Sequence, residues 1–349
     1  MKKKHPATNS SPGELALIAE LRARNHPKRP AIRLGIGDDC ALIRPKIGEE
    51  IAVTTDFSLE NVHFRRTWHP PGSIGHRCLA RGLSDLAAMG ARPIAAFLSL
   101  AVPLELTLRR RHQPSWIERF LDGLLALADQ HKVTLAGGDT AQSPSGLVAA
   151  DVVLIGAVKQ GQALLRSKAQ PGDIIYVTGG LGGAAAELLA VQRNPPKFSK
   201  LKQAAPNHPH LYPEPRIATG LRLAARNLAT AAIDLSDGLS TDLQHLCEES
   251  NLAAEIEVQA IPIHPMAHLA QAAHWTPSAL NLALHGGEDY QLLFTANPKT
   301  KIPKQINGVA IHPIGKMLPK QQKHPTAILL GPNQVRKELK PQGWQHFRK

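Results

Sequence analysis

Apolar runs short enough to be strands alternate along this chain with segments of helical period, and four times aspartate stands at the end of such a run or in a glycine turn beside one. The alternation demands helices layered on sheets, because strands covered by helices read as continuous apolar stretches. An α/β class is therefore expected. Strands are predicted at 41–44, 51–55, 95–102, 147–158, 173–178, 231–234, 254–258 and 290–295. Helices are predicted at 13–23, 73–89, 115–131, 183–191, 217–227 and 241–250. In the second helix Leu79, Leu83 and Leu86 form the buried stripe, Gly90 closes the last turn, and Asp85 lies off the stripe near Gly82 and Met89. A boundary near residue 160 divides the chain into domains 1–158 and 159–349. The stretch 192–215, rich in Pro, Lys and His, reads as a loop excursion.

The aspartates occupy places where structural acids are uncommon. Gly35-Ile36-Gly37-Asp38-Asp39 is a turn with adjacent carboxylates, and Thr54-Thr55-Asp56 is expected to end a strand. Gly137-Gly138-Asp139-Thr140 and Asp234-Leu235-Ser236-Asp237-Gly238 each read as a turn after an apolar strand, and Gly286-Gly287-Glu288-Asp289 echoes them. Carboxylates gathered in one place repel and protonate unless a cation neutralises them. Mg²⁺, a hard ion with oxygen ligands, suits such a set and shares its coordination with phosphates. An aspartate beside glycine is by itself an ordinary turn residue. It is the fourfold recurrence that points to a site.

Other chemistries lack their signatures. No G-x-x-x-x-G-K-[ST] occurs, and the protein-kinase set is missing. Thr178-Gly179-Gly180-Leu181-Gly182-Gly183-Ala184-Ala185 contains a G-x-G-x-x-A match, but the acid a dinucleotide site needs about 20 residues on is lacking. His264 and His268 have H-x-x-x-H spacing, which Pro265 is expected to interrupt. Cys40 and Cys78 sit among apolar neighbours and read as small core residues. The three cysteines form no C-x-x-C pair, which favours a reducing compartment.

The net charge of +13 raises the question of nucleic acid, but its distribution answers it. Residues 299–349 carry +10 and residues 1–29 carry +5, leaving −2 for the segment that holds the aspartate motifs. Aromatics are 4%, poor material for base stacking. The apolar stretch 94–106 is broken by Pro103 and too short to span a membrane. The basic start, Met1-Lys2-Lys3-Lys4, has no apolar core behind it. A cytoplasmic protein without nucleic-acid or membrane partners is expected.

The ordered motifs resemble those of the thiamine-monophosphate kinases. They run from Gly35-Ile36-Gly37-Asp38-Asp39-Cys40-Ala41 through Thr54-Thr55-Asp56, Val62-His63-Phe64 and Leu83-Ser84-Asp85-Leu86-Ala87-Ala88-Met89-Gly90-Ala91. Gly137-Gly138-Asp139-Thr140, Ile233-Asp234-Leu235-Ser236-Asp237-Gly238-Leu239 and Gly286-Gly287-Glu288-Asp289-Tyr290 complete the series. The resemblance implies two α/β domains of the aminoimidazole-ribonucleotide synthetase-like fold, paired as a homodimer through the N-terminal sheet. It implies ATP as co-substrate and several Mg²⁺ ions held by Asp39, Thr54, Thr55, Asp56, Asp85, Asp139, Asp234 and Asp237. ATP would meet Gly138, Asp139, Arg166 and Ser236, while thiamine monophosphate would meet His63, Glu288 and Trp344. A thiazolium cation suits an aromatic face and an acid. Asn61 stands where the family usually has Gly, and Tyr212 where Arg is common. With no activated nucleophile evident, direct in-line transfer to the acceptor phosphate is expected. Alternatives within the fold are a selenophosphate synthetase, which would need a reactive Cys with Lys in an early Gly-rich loop, and a hydrogenase-maturation dehydratase, which would need a C-terminal Cys. A different class, a basic nucleic-acid-binding protein, would show strongly salt-dependent affinity.

Overall fold

The structure, a computed structural model, describes residues 22–23, 30–36, 40–109, 113–201, 208–321 and 325–343. Asp39 and Trp344 lie outside the described residues, as does the expected helix 13–23 apart from its last two residues. The first half begins with a small antiparallel ribbon, β1 (Ile32–Leu34) with β2 (Leu42–Ile43). It continues as β3 (Glu49–Leu59), α1 (Pro71–Ala88), β4 (Arg92–Val102), α2 (Trp116–Gln130), β5 (Thr134–Gln142) and β6 (Ala149–Lys159). The sheet order is β3-β6-β4-β5, with β4 and β5 parallel and the other pairs antiparallel.

The second half runs β7 (Ile174–Thr178), α3 (Gly183–Arg193), α4 (Pro195–Phe198), α5 (Ile217–Ala225), β8 (Ala231–Asp234), α6 (Leu239–Glu249) and β9 (Leu252–Glu257). It closes with α7 (Pro265–Ala272), α8 (Ala279–His285), β10 (Leu292–Ala296), β11 (Gln305–Ile306), β12 (Val309–Pro319), β13 (Ala327–Leu330) and β14 (Arg336–Glu338). Its sheet order is β14-β13-β9-β12-β7-β10-β8, with β11 paired to β12.

The helices start where local chemistry supplies their unpaired amide groups with partners. Ser115 and Glu118 form a reciprocal capping box at the start of α2. Pro71 opens α1, where its missing N–H costs nothing. Pro265 likewise opens α7, with His264 as the cap accepting from the Met266 amide, so this proline starts a helix where interruption was expected. Cys78 is buried as expected, but Cys40 is exposed because the ribbon it precedes covers little surface.

α1 is the central element. Fourteen of its eighteen residues are buried, so every polar group it carries needs a partner. It packs on β3, β4, β6 and α2 on one side and on α5 and β8 on the other. Leu79 and Leu83, both fully buried, share one core with Leu292 and Phe294 of β10. Burying a leucine contributes roughly 1.5–3 kcal/mol, so this shared core holds the two halves together.

One stretch expected to end a strand and one expected to be a turn are both strand interior. β3 runs on through Thr54, Thr55 and Asp56 to Leu59, because β-branched and aromatic residues continue its alternation. Thr54 and Asp56 therefore face α1, while Thr55 points to the opposite face beside exposed Val53 and Phe57. Gly137, Gly138 and Asp139 lie inside β5. A Cβ on Gly138, whose φ is +146°, would fall 1.9 Å from the Leu98 carbonyl oxygen, so glycine is what lets β5 lie against β4.

Candidate active site

Arg77, Arg81 and Asp85 are spaced four residues apart on α1 and leave it on one side. Arg77 Nη2 donates to Glu288 Oε1 at 2.5 Å, and Arg81 Nη2 donates to Asp56 Oδ1 at 3.3 Å. Asp85 accepts a hydrogen bond from the Thr54 hydroxyl. Ser84 donates to Asp234 Oδ2 at 2.7 Å, carrying the contact across to β8. Close packing of α1 on the first sheet makes this possible. A Cβ on Gly82 would lie 2.7 Å from a Leu154 methyl group and 3.4 Å from that of Thr54.

Beyond β8 two turns clasp one another. Glu288 N donates to Ser236 O at 2.8 Å, and Tyr290 N donates to Leu235 O at 2.9 Å. Asp242, in the first turn of α6, accepts from the amides of Asp237 and Gly238 at 3.1 and 3.0 Å. Glu288 and Tyr290 hold φ values of +66° and +47°. Such backbone costs about 1–3 kcal/mol per non-glycine residue and persists where the surroundings enforce it. Here it aims Glu288 at Arg77 and His210, whose Nδ1 lies 3.1 Å from Glu288 Oε2.

The electrostatics divide sharply. Burial pushes the Asp56 carboxyl up to about 6, with Arg81 opposing and Asp85 adding to the shift. Burial, reinforced by neighbouring Asp85, pushes Asp234 up to about 7 against the Ser84 hydrogen bond. Asp85 is raised by burial too, against the Thr54 hydrogen bond. Glu288 behaves oppositely. Burial disfavours its charge, but Arg77 and His210 outweigh that and hold it well below the usual carboxylate range.

These groups face one cavity of about 490 Å³. Of the residues expected from sequence, it gathers Asp56, Asp85, Asp234, Ser236, Asp237, His63 and Glu288, with Thr54 joined through Asp85. Asn61, at its rim, has the left-handed φ of +69° that its replacement of glycine requires. Arg166 is exposed on a short 3₁₀ turn, close enough to favour the charged forms of Asp85 and Asp234. Thr55 and Asp139 stand elsewhere. Phe57, Asp151, Ser99 and Asp139 form one row across the outer face of the first sheet, and Thr55 donates to Asp151 there at 2.7 Å. Gly138 lies in the same strand.

Sequence reasoning missed Arg77, Arg81, Trp68, His69, His210 and Tyr290, all in or behind the cavity wall. The spacing of Arg77 and Arg81 from Asp85 on a helix was the available signal. His210 sits in the stretch expected to be an excursion; its amide and that of Leu211 donate to buried Glu187 at 2.7 and 3.1 Å, which folds that stretch back.

Among the described residues no three His, Cys, Asp or Glu side chains form a ready-made metal chelate. The donor set nonetheless suits Mg²⁺, which takes one or two carboxylates and completes its shell with water and substrate phosphates. Asp56, Asp85 and Asp234, crowded enough to resist ionisation, are the carboxylates that could hold such an ion.

The fold and site define an AIR synthase-related protein of two domains. Residues 37–158 match the AIR synthase related protein, N-terminal domain, and residues 170–304 match the AIR synthase related protein, C-terminal domain. The thiamine-monophosphate kinase of Bacillus subtilis (strain 168) is 36% identical over 91% of this chain and 94% of its own length. That of Escherichia coli (strain K12) is 41% identical over 81% of this chain and 82% of its own. The chain belongs to the thiamine-monophosphate kinase family. Among solved structures, the thiamine-monophosphate kinase of Stenotrophomonas maltophilia K279a superimposes with a TM-score of 0.75 at 38% identity, covering 90% of this chain and 96% of that one. AaThiL complexed with AMPPCP and TMP gives a TM-score of 0.71 at 27% identity, covering 96% and 97%. The hydrogenase maturation protein HypE, at 16% identity and a TM-score of 0.71, shares the fold.

Proposed function

We propose that this protein transfers the γ-phosphoryl group of ATP to the phosphate of thiamine monophosphate, giving thiamine diphosphate and ADP. The observation that carries this reading is the mixed lining of the cavity. Carboxylates of Asp56, Asp85, Asp234 and Asp237 share it with apolar groups of Val62, Phe64, Trp68, Ala184, Ala185 and Leu188. Glu288, kept ionised by Arg77 and His210, lines the same cavity as a partner for an organic cation. A molecule with an apolar cationic body and a phosphate fits that lining.

Mg²⁺ held by Asp56, Asp85, Asp234 and Asp237 would screen the two phosphate groups from each other and stabilise charge in the transition state. Thr54 and Ser84 hold two of these carboxylates in place through hydrogen bonds. No general base is required, since a phosphomonoester's second pKa is about 6 and its oxygen is already ionised near neutrality. Among the described residues none in the cavity forms an activated nucleophile pair, which supports direct in-line attack by the acceptor oxygen on the γ-phosphorus. The apolar wall excludes water that would otherwise compete as acceptor.

The outer face of the first sheet, where Ile51, Val53 and Phe57 are 44%, 63% and 61% exposed, is the proposed contact of a homodimer. Thr55, Gly138 and Asp139 belong to that part of the molecule, so their roles toward metal and ATP are proposed for the paired form. No helix among the described residues is long and apolar enough to cross a membrane, which is compatible with a cytoplasmic site of action. Incubation with ATP, Mg²⁺ and a panel of phosphomonoesters tests the function. Thiamine diphosphate should appear together with an equal amount of ADP. Preferred transfer to another phosphomonoester would reassign the acceptor.

A further inference from the structure

We infer that Arg81 binds the phosphate of the acceptor, and so makes the site select thiamine monophosphate over unphosphorylated thiamine. The inference rests on the proposed transfer reaction and adds to it a cationic group among carboxylates.

A cavity that receives two phosphate-bearing substrates needs at least one side chain that donates to an anion without a metal. The described residues lining it include two arginines, Arg65 and Arg81, and three histidines. The Arg65 guanidinium lies over the Trp68 ring, 4.5 Å from its centre, on an exposed loop. His63 is engaged at Nδ1, which accepts from the Leu59 amide at 3.0 Å. His69 and His210 are buried against one another with their Nε2 atoms 3.0 Å apart, beside the Arg77 guanidinium. Arg77 itself is spent, its two terminal nitrogens bound to His210 and Glu288.

Arg81 is different. A guanidinium has five N–H donors, yet among the described residues this one makes a single hydrogen bond, 3.3 Å long, to Asp56. Its side chain is 18% exposed, and that exposure opens into the cavity. Removing a cation this far from water is unfavourable until its donors are satisfied. A phosphate dianion satisfies them, accepting two parallel N–H bonds from a guanidinium in one plane.

Position identifies which phosphate. Along α1, Arg81 stands one turn from Arg77, which holds Glu288, and one turn from Asp85, which faces Asp234. Arg81 reaches Asp56 directly and shares the cavity wall with Glu288. A ligand whose cationic ring lies near Glu288 and whose phosphate points toward the carboxylates places that phosphate on Arg81. The ATP phosphates, entering with metal at Asp85 and Asp234, lie a helical turn further on.

Arg81→Met and Arg81→Lys, with the wild type, decide it by calorimetric binding of thiamine monophosphate, thiamine and a non-hydrolysable ATP analogue, alongside steady-state kinetics. Losing a charge-assisted bidentate contact should weaken thiamine monophosphate about 10- to 100-fold in Arg81→Met. Its KM should rise in step, while thiamine affinity and the KM for ATP stay within about twofold. Arg81→Lys, which keeps the charge and loses the fork, should recover part of the preference and serves as the folded comparison if the methionine variant is unstable. Equal losses for thiamine and its phosphate would reduce Arg81 to a structural role. A selective loss of ATP would move it to the nucleotide. A wild type that binds no thiamine monophosphate would overturn the transfer reading and this inference with it, whereas a wild type that transfers normally beside an Arg81→Met variant of unchanged preference would overturn the inference alone.

Discussion

The Ser84 hydroxyl donates to Asp234 Oδ2 at 2.7 Å, joining residues 150 positions apart with both side chains buried. One belongs to the central helix of the first half and the other ends a strand of the second, so this bond fixes the distance between the carboxylates each half supplies. Ser84→Ala should destabilise the protein by about 1–3 kcal/mol when Asp234 is ionised, because a buried carboxylate is left without its donor. The neutral acid tolerates the loss better, so urea unfolding should show a larger difference at about pH 8.5 than at about pH 5. A pH-independent difference would mean that the serine serves only packing.

Asp56→Asn and Asp85→Asn should each abolish turnover while leaving the melting temperature unchanged or higher. Both carboxyls are held above their ordinary range by burial, and each is further raised by or adds to like charge nearby, so neutral amides relieve repulsion. Near-normal activity with unchanged Mg²⁺ dependence in both variants would exclude the carboxylates as a metal-binding unit.

The raised Asp234 pKa of about 7, against an ordinary 3.8, has a definite sign. Between those values the folded protein keeps a proton that the unfolded chain has released, so ionisation of this group costs stability as pH rises through that window. Buried His69, lowered by burial and by Arg77 to about 2, works the other way below about pH 6.5, and comparison with Asp234→Asn removes its contribution. The stability advantage of Asp234→Asn in chelator should grow from about pH 4 to about pH 7 and then level off. Saturating Mg²⁺ should shrink it. An advantage that is flat with pH would show that Asp234 is not crowded.

Phe57→Asp places a charge on the outer face of the first sheet, beside Asp151 and on the side of β3 away from the cavity. Sedimentation should show a dimer for the wild type and a monomer for the variant. A wild type that sediments as a monomer at micromolar concentration would remove that face from the account.

Much of this was legible because the residues that carry the chemistry are short acids at positions of fixed geometry. Asp234, at the end of a strand whose bounds are those expected, and Asp85, off the Leu79–Leu83–Leu86 stripe, meet in the cavity. What stayed hidden depends on tertiary contact. Gly137 and Gly138 have turn composition, yet β5 passes straight through them because its neighbour β4 lies too close for a side chain. Thr54 and Thr55 are chemically alike and adjacent, but period-two alternation sends them to opposite faces. Arg77 and Arg81 drew no attention in the sequence, and their place in the site follows only from the packing of α1 on both sides. His264 and Pro265 illustrate the same limit, since a proline that breaks one helix pattern opens another.

The central claim is that the acceptor phosphate of thiamine monophosphate attacks ATP directly within this cavity. Turnover of ATP made chiral at the γ-phosphorus, with the product's configuration read by phosphorus NMR, tests it most directly. The account predicts thiamine diphosphate with inverted configuration and no phosphorylated protein in the absence of acceptor. Retention of configuration, a trapped phosphoenzyme, or ATP consumed without thiamine diphosphate would contradict it.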